Sequence, residues 1–543
     1  MVKHKVSYLS ILSFIFCLMI IVPSLEIIIN LFKEPGQQWA HIQEYLLKDY
    51  AINTIIICIF TGVFTLVLGV GISWLISAYD FPLRRFFKWG LVLPLAIPPY
   101  IAAYTYSGIL GYTGDLQTLL RSIGIQVDQR YFDIMSIGGA IFIFTIFLLP
   151  YVYMIVRSYL EKQSSSLVET ARMLGESEIG LFFRVVLPIS RVVIVSGITL
   201  VILEVISDYG VVSYFGVPTF STAIFQSWFS MGDVDSAVRL SAILLVIVFS
   251  VISGEKFLRR RKRYSETNGK HRALKRKKLK GIGAILAFSL CFIVFFLGFL
   301  APIIQLLKWA MLSYESVISP YFVELIYNTL WVSIVASVII IIASLIIGNY
   351  TRLNNNAFSR LAGKITVFGY SVPGAVIAIT VVVFFVDIDK GLGWLYSGIY
   401  SDGRTLVLSM SIIMLIFAYF IRYLAVGYQS IEGGFQKIGK RYYEASRLLG
   451  HSRFSTFINV DFPMMKPSII AGLALVFVDI VKELPLVLLL RPFNFNTLAT
   501  KVFEYANDEM MMEASIPSLL IIGVSFIAII VLYKVGDKED NHA

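Results

Sequence analysis

The chain has 543 residues, of which 57% are hydrophobic and 15% charged, with a net charge of +11. A soluble domain carries about a quarter charged residues, so this composition excludes a water-soluble globule. The positive excess does not signal nucleic acid, because Lys and Arg cluster in short stretches between apolar runs, as membrane topology requires.

Apolar runs of roughly 20 residues, long enough to cross a bilayer, recur from end to end. In lipid only helices or closed barrels satisfy the backbone, and these runs are continuous rather than alternating, which selects helices. The N-terminal MVKHKVSYLSILSFIFCLMIIVPSLEIIINLF has a basic start, a long apolar body and no small-residue cleavage site, so it reads as a retained first span rather than a signal peptide. Spans are predicted at 8–32, 51–78, 87–110, 137–158, 192–213 and 238–258. After RRRKRYSETNGKHRALKRKKLK, residues 259–280, six more follow at 281–307, 326–350, 363–386, 404–427, 467–490 and 514–534. The linker lacks apolar periodicity; it has the charge to grip anionic headgroups, and a plain tether accounts for it as well. Lys3 and Lys5, Arg84, Arg85 and Lys88, the linker, and Arg352, Arg360 and Lys364 fall on one side when the spans are counted. By the positive-inside rule that side is the cytoplasm. The expected fold class is an all-α polytopic membrane protein with about twelve transmembrane helices and both termini cytoplasmic. Cys17, Cys58 and Cys291 lie inside apolar runs without metal or disulfide spacing and read as packing residues.

A repeat organises the chain. Residues 167–188, LVETARMLGESEIGLFFRVVLP, match residues 442–463, YYEASRLLGHSRFSTFINVDFP, at a constant offset of 275. Glu169, Arg172, Leu174, Gly175, Ser177, Phe182, Val185 and Pro188 meet Glu444, Arg447, Leu449, Gly450, Ser452, Phe457, Val460 and Pro463. The same offset pairs Asn53-Thr54 with Asn328-Thr329, Pro98 with Pro373, Gly197 with Gly472, and Phe220-Ser221-Thr222 with Phe495-Asn496-Thr497. Two homologous six-helix halves, 1–258 and 281–543, are therefore expected, related by a pseudo-twofold axis along the membrane normal with a substrate path on it. In the repeated segment, Ser164–Gly175 is predicted as a short helix with serine N-caps and a left-handed glycine at its end. A second short helix, about 177–187, should run to Pro188. An amphipathic connector lying on the membrane is the plainer reading. The kept spacing of Glu, Gly and Pro, while their neighbours diverged, favours a docking knuckle that fits a partner's groove.

The Glu, Arg and Leu-Gly, followed by Pro thirteen residues after the Gly, resemble the EAA loop of ABC importer permeases, the MetI-like binding-protein-dependent transport domains. This chain reads ETA and EAS where the family name has EAA. The resemblance implies two fused permease domains with coupling loops at 164–190 and 439–465. It implies ATPase-coupling roles for Glu169, Arg172, Gly175, Pro188, Glu444, Arg447, Gly450 and Pro463. The implied partners are two copies of a cytoplasmic ABC ATPase and an extracytoplasmic substrate-binding protein. The implied location is the bacterial cytoplasmic (inner) membrane. The chain would be a transporter subunit and not an enzyme, with no cofactor of its own and ATP with magnesium on the ATPase. GFQKIGKR, residues 434–441, fits the first seven positions of a phosphate-binding loop, but Arg441 stands where Ser or Thr must hold magnesium and no strand precedes it.

Ionisable residues inside spans are costly and usually functional. Glu204 and Asp208 in LVILEVISDYG correspond at the offset to Asp479 and Glu483 in ALVFVDIVKELP, and each pair is four residues apart on one helix face. Four acids should thus surround the axis, with Lys482 the only nearby cation. The alternative is that some of them satisfy backbone groups at helix breaks near Gly210 and Pro485, or pair with Lys482. Carboxylates suit hard cations, although no metal site is assigned. SDYG…YFGVPTF and KELPLVLLLRPFNFNTLATKVFEYA resemble ferric-iron permeases, which implies a translocation pathway through Glu204, Asp208, Tyr209, Asp479, Glu483 and Pro485. Related two-domain permeases carry thiamine, a cation, or aminoethylphosphonate, an anion that sits poorly beside four acids. An ion-coupled secondary transporter or a channel is the competing class, and neither needs two matched docking knuckles.

Overall fold

The structure, a computed structural model, describes residues 8–32, 34–36, 38–125, 128–162, 166–260, 276–354, 356–399, 406–409 and 411–540. The start of the first repeated segment at Ser164, the body of the linker, and the predicted beginning of a span at 404 lie outside these residues. Among the described residues, ten helices are long and apolar enough to cross a membrane. Counting each of two further bent helix pairs as one span gives up to twelve.

The bent pairs correct the expectation of continuous spans at 87–110 and 363–386. Arg84–Ala96 and Pro99–Ser122 meet at 94°, and Ala357–Ser371 and Gly374–Tyr396 at 109°. Proline is the cause. It carries no N–H, and it forces the residue before it out of the helical region. Ile97, before Pro98, has ψ 111°, and Val372, before Pro373, has ψ 126°. The spans predicted at 192–213 and 467–490 are likewise broken. Leu187–Ser207 stops before Gly210–Tyr214, and Phe462–Val481 stops before Pro485–Leu490.

The two halves share a core of three helices. Leu47–Ala78 packs on Ile137–Lys162 and Leu187–Ser207; Pro320–Leu353 packs on Ile412–Ile438 and Phe462–Val481. The first helix of each half crosses to the other. Tyr8–Leu31 lies against Pro320–Leu353, Ala357–Phe368 and Gly374–Ile399, with Phe16 on Phe420 at 5.6 Å between ring centroids. Ile282–Phe295 and Ala301–Val317 lie against Arg84–Gly90 and Pro99–Leu110, with Phe86 edge-on to Phe295 at 5.1 Å. The halves are interlocked rather than side by side. The one strand pairing among the described residues is Tyr79–Asp80 with Lys277–Lys278, which fastens the end of the linker to the first half.

The constant offset does not hold to Thr222. Thr219 with Thr222 forms a capping box that opens Phe220–Phe229, and Thr497 with Thr500 forms the same box opening Leu498–Asn507. These equivalents are 278 apart, not 275, so the match of Phe220-Ser221-Thr222 to Phe495-Asn496-Thr497 is a coincidence of letters. Three extra residues lie between the helix break and the box in the second half.

One packing contact shows how the duplicate diverged without moving. A Cβ on Gly69 would stand 2.9 Å from Val152 Cβ, and a Cβ on Gly427 would stand 2.8 Å from Ser344 Oγ. Positions 69 and 344 are equivalent, as are 152 and 427, so the small residue has changed sides of the same crossing. Gly71, two residues on, has nothing within 4 Å of its absent Cβ. Gly69→Leu should therefore cost about 1–3 kcal/mol through overpacking, while Gly71→Leu should be near neutral. Thermal unfolding of the two purified variants in detergent checks this; equal melting would refute the close crossing.

Candidate functional site

The repeated segments are built alike. Ser166–Met173 and Arg441–Leu448 each end on a left-handed glycine, Gly175 at φ +83° and Gly450 at φ +88°. Gly supplies that conformation without a Cβ penalty. Ser177 then caps the next helix by accepting from Gly180 N at 3.1 Å, and Ser452 does so from Ser455 N at 3.1 Å. At the tip Met173 and Leu174 are 89% and 80% exposed, and their equivalents Leu448 and Leu449 are 90% and 80% exposed. Two exposed apolar residues thus stand at the same place in both copies. Glu169 and Arg172 are half-buried on the first knuckle, with Arg172 paired to Glu178 at 3.3 Å; Glu444 and Arg447 are exposed on the second.

The helix after the glycine does not stop at Pro188, as the sequence suggested. Glu178–Ser207 and Arg453–Val481 are single rods that run through Pro188 and Pro463. A π-turn just before each proline, Phe182–Val186 and Phe457–Asp461, opens the helix where the proline ring would meet the carbonyl one turn back. The knuckles are anchored differently. The first is held by Glu178, which accepts from Tyr79 Oη at 2.9 Å and pairs with Lys277 of the linker end at 3.1 Å. The second is held by a buried pair, Arg352 to Asp461 at 2.8 Å. Gly434–Gly439 finishes the Ile412–Ile438 helix and its C-cap, and Arg441 opens the next helix, which is no setting for a phosphate loop.

The rods lead to a central cavity of about 120 Å³. Its wall carries Glu204, Asp208, Asp479, Glu483 and Pro485, five of the six residues proposed for a pathway. Tyr209 is elsewhere: its ring stacks on Phe225 at 3.7 Å, and it lines a neighbouring cavity with Ser213 and Gln226. The lining also obeys the repeat. Leu95 and Tyr370, Phe147 and Arg422, Leu148 and Tyr423, Glu204 and Asp479, Ser207 and Lys482, Asp208 and Glu483, and Gly210 and Pro485 are all pairs 275 apart. The pseudo-twofold axis therefore passes through this space.

Each acid has a local partner. Asp208 Oδ1 accepts from Val211 N at 2.9 Å and Glu483 Oε1 from Leu486 N at 3.1 Å, so both cap the short helices that resume after the breaks. Glu204 accepts the Tyr370 hydroxyl at 2.8 Å, Tyr423 donates its hydroxyl to Glu483, and Lys482 pairs with Asp479 at 2.9 Å. The capping and Lys482 roles weighed from the sequence are thus present, on side chains that also face the cavity. Lys482 is not the only cation nearby: Arg422 lines the same space and lies 3.5 Å from Glu483. It was visible in the sequence as an ionisable residue in the apolar run 404–427, and the rule that flagged the acids applies to it equally. Tyr370 and Tyr423 carried no such signal. Among the described residues, no three His, Cys, Asp or Glu side chains converge as a metal site.

Comparison with known proteins accounts for this architecture. The family model described as "binding-protein-dependent transport system inner membrane component" matches residues 69–263 and again 340–538. The Fe(3+)-transport system permease protein FbpB 2 of Haemophilus influenzae is 25% identical over 90% of this chain and 90% of its own. A probable sulfate transport system permease protein of Chlorokybus atmophyticus is 27% identical over 46% of this chain and 86% of its own. The sulfate permease protein CysW of Escherichia coli is 26% identical over 36% and 68%. With two family matches that together cover most of its length, the chain belongs to the binding-protein-dependent transport system inner membrane components, as two such domains in one polypeptide.

Proposed function

We propose that this permease moves ferric iron inward, handed over by an extracytoplasmic binding protein and driven by two copies of a cytoplasmic ABC ATPase. Residues 1–258 and 281–543 are the two halves, and 259–280 tether them. The basic stretches, both termini and both knuckles face the cytoplasm. One observation carries the reading: a cavity on the pseudo-twofold axis lined by four carboxylates, each half contributing two at equivalent positions. Four carboxylates against Lys482 and Arg422 leave a formal excess of two negative charges, which draws in a cation. The space, about 120 Å³, is below the roughly 300 Å³ at which pockets for drug-sized organic ligands begin. That favours an inorganic ion over thiamine, and the charge disfavours aminoethylphosphonate. The likeness to the Haemophilus influenzae iron permease over nearly the whole chain points the same way.

The chain makes and breaks no covalent bond. Glu169, Arg172, Gly175 and Pro188, with Glu444, Arg447, Gly450 and Pro463, shape the knuckles, and the exposed Met173-Leu174 and Leu448-Leu449 tips seat in ATPase grooves. ATP and magnesium reside on the ATPase. Its closure draws the knuckles together and moves the rods, and the cavity then opens to alternate sides. A secondary transporter would need neither knuckle.

The tagged chain purified from its native membrane should bring down an ATPase at about one chain to two. Glu169→Ala with Glu444→Ala should abolish that association while leaving the chain's melting temperature unchanged. If the wild-type chain purified gently without any ATPase, the coupling role would be lost. Asp208 offers a separate test, since Asn keeps a side-chain acceptor for Val211 N and removes the charge. Asp208→Ala should destabilise by about 1 kcal/mol as a lost cap and Asp208→Asn much less, yet both should lower labelled-iron uptake at least tenfold. Normal uptake by Asp208→Asn would reduce the residue to a cap.

A further inference from the structure

The charges around the cavity are not shared evenly between its two walls. On the second-half wall each acid has a basic partner, Asp479 with Lys482 and Glu483 with Arg422. On the first-half wall Glu204 and Asp208 form no ion pair among the described residues; their partners are neutral, the Tyr370 hydroxyl and the Val211 amide. The unmet hydrogen-bonding capacity is of the opposite kind. Arg422 Nε faces Glu483 at 3.5 Å, while Arg422 Nη1 and the Tyr100 hydroxyl are buried without hydrogen-bond partners; Tyr100 is only 6% exposed, and both residues line the cavity. A buried donor left unpaired costs about 1–3 kcal/mol, and more when charged.

A bare metal cation would answer Glu204 and Asp208 and leave these donors empty. A bare oxyanion would answer the donors and meet the formal charge of minus two. A cation that keeps a small oxyanion bound to it answers both. From this geometry we infer that the cavity takes its cargo as a contact pair, with the cation toward Glu204 and Asp208 and the oxyanion held by Arg422 and Tyr100. The fork of a guanidinium and a phenol hydroxyl together suit a planar or tetrahedral oxyanion. The polarity is a product of the duplication: Arg422 occupies the position of Phe147, so the second half supplies a cationic donor that has no first-half equivalent, opposite the first half's neutral Tyr100. The inference rests on the proposed iron reading for the identity of the cation.

The test uses the chain with its ATPase in proteoliposomes, with the binding protein outside, and double-labels the cargo: radioactive ferric iron with labelled phosphate, carbonate or sulfate, one at a time. At least one oxyanion should enter with iron at a fixed ratio, and omitting all three should slow iron entry. Tyr100→Phe removes one hydroxyl and little else, and Arg422→Lys keeps the charge and loses the fork. Each should lower paired uptake roughly tenfold, the loss of one hydrogen bond to a charged group. Size exclusion shows that each variant is folded, and Tyr100→Phe suffices if Arg422→Lys is not. Iron entry that is indifferent to oxyanion and to Tyr100→Phe overturns the contact pair and leaves the iron reading intact. Oxyanion entry without iron overturns both. Failure of iron to enter under any condition removes the iron reading, and the pair with it.

Discussion

A helix broken inside a bilayer must find partners for the backbone groups it frees, because lipid offers none. This protein breaks two helices on its axis, and one carboxylate at each break accepts an amide of the helix that resumes: Asp208 for Val211 and Glu483 for Leu486. Irregular backbone at membrane depth is tolerated only where it lines protein or a water-filled path. The cap, the break and the cavity are therefore one requirement seen three ways. Remove the acid and the break loses its satisfaction; straighten the helix and the acid has no reason to face the axis. Gly210 completes the arrangement, since a Cβ there would stand 2.6 Å from that of Tyr100, so only glycine lets Tyr100 close over the break.

Duplication explains why the solution occurs twice, and divergence explains why it is useful. Seven equivalent pairs line the cavity, yet only the acids at 204/479 and 208/483 keep their chemistry in both halves. At the remaining five positions the first half offers Leu95, Phe147, Leu148, Ser207 and Gly210, while the second offers Tyr370, Arg422, Tyr423, Lys482 and Pro485. Shape is symmetric and polarity is not. The knuckles follow the same rule: their tips and glycines superpose in exposure and φ, while one is clipped to the linker end and the other is pinned by a buried ion pair.

The sequence disclosed whatever rests on one residue type at one spacing. The apolar helices, the knuckle glycines and the four acids were legible because hydropathy, Gly and Pro punctuation and charge in an apolar run each have a direct physical cause. Pro98 and Pro373 stood in plain view as breakers, but that the chain turns by about a right angle there depends on what packs against it. Tyr209 was placed on the pathway by its neighbours in sequence, and its ring turns away to stack on Phe225 because a short helix begins just after it. The slip from 275 to 278 was hidden by a chance repeat of Phe and Thr, and only the matching capping boxes reveal it.

The rods join the two sites mechanically. Glu178–Ser207 holds 30 residues and Arg453–Val481 holds 29, so each is about 45 Å long at 1.5 Å per residue. One end begins three residues after the knuckle glycine, and the other stops at the break that Asp208 or Glu483 borders. Because the helix continues through the π-turn and the proline, the knuckle and the break are two ends of one body. A tilt of a few degrees at the knuckle displaces the far end by an ångström or more, comparable to the slack in a hydrogen bond. Caps made by a single carboxylate oxygen, at 2.9 and 3.1 Å, are the interactions such a displacement strains first. Rod position and cavity lining therefore meet at the same two side chains, which cap the helices and also face the cavity.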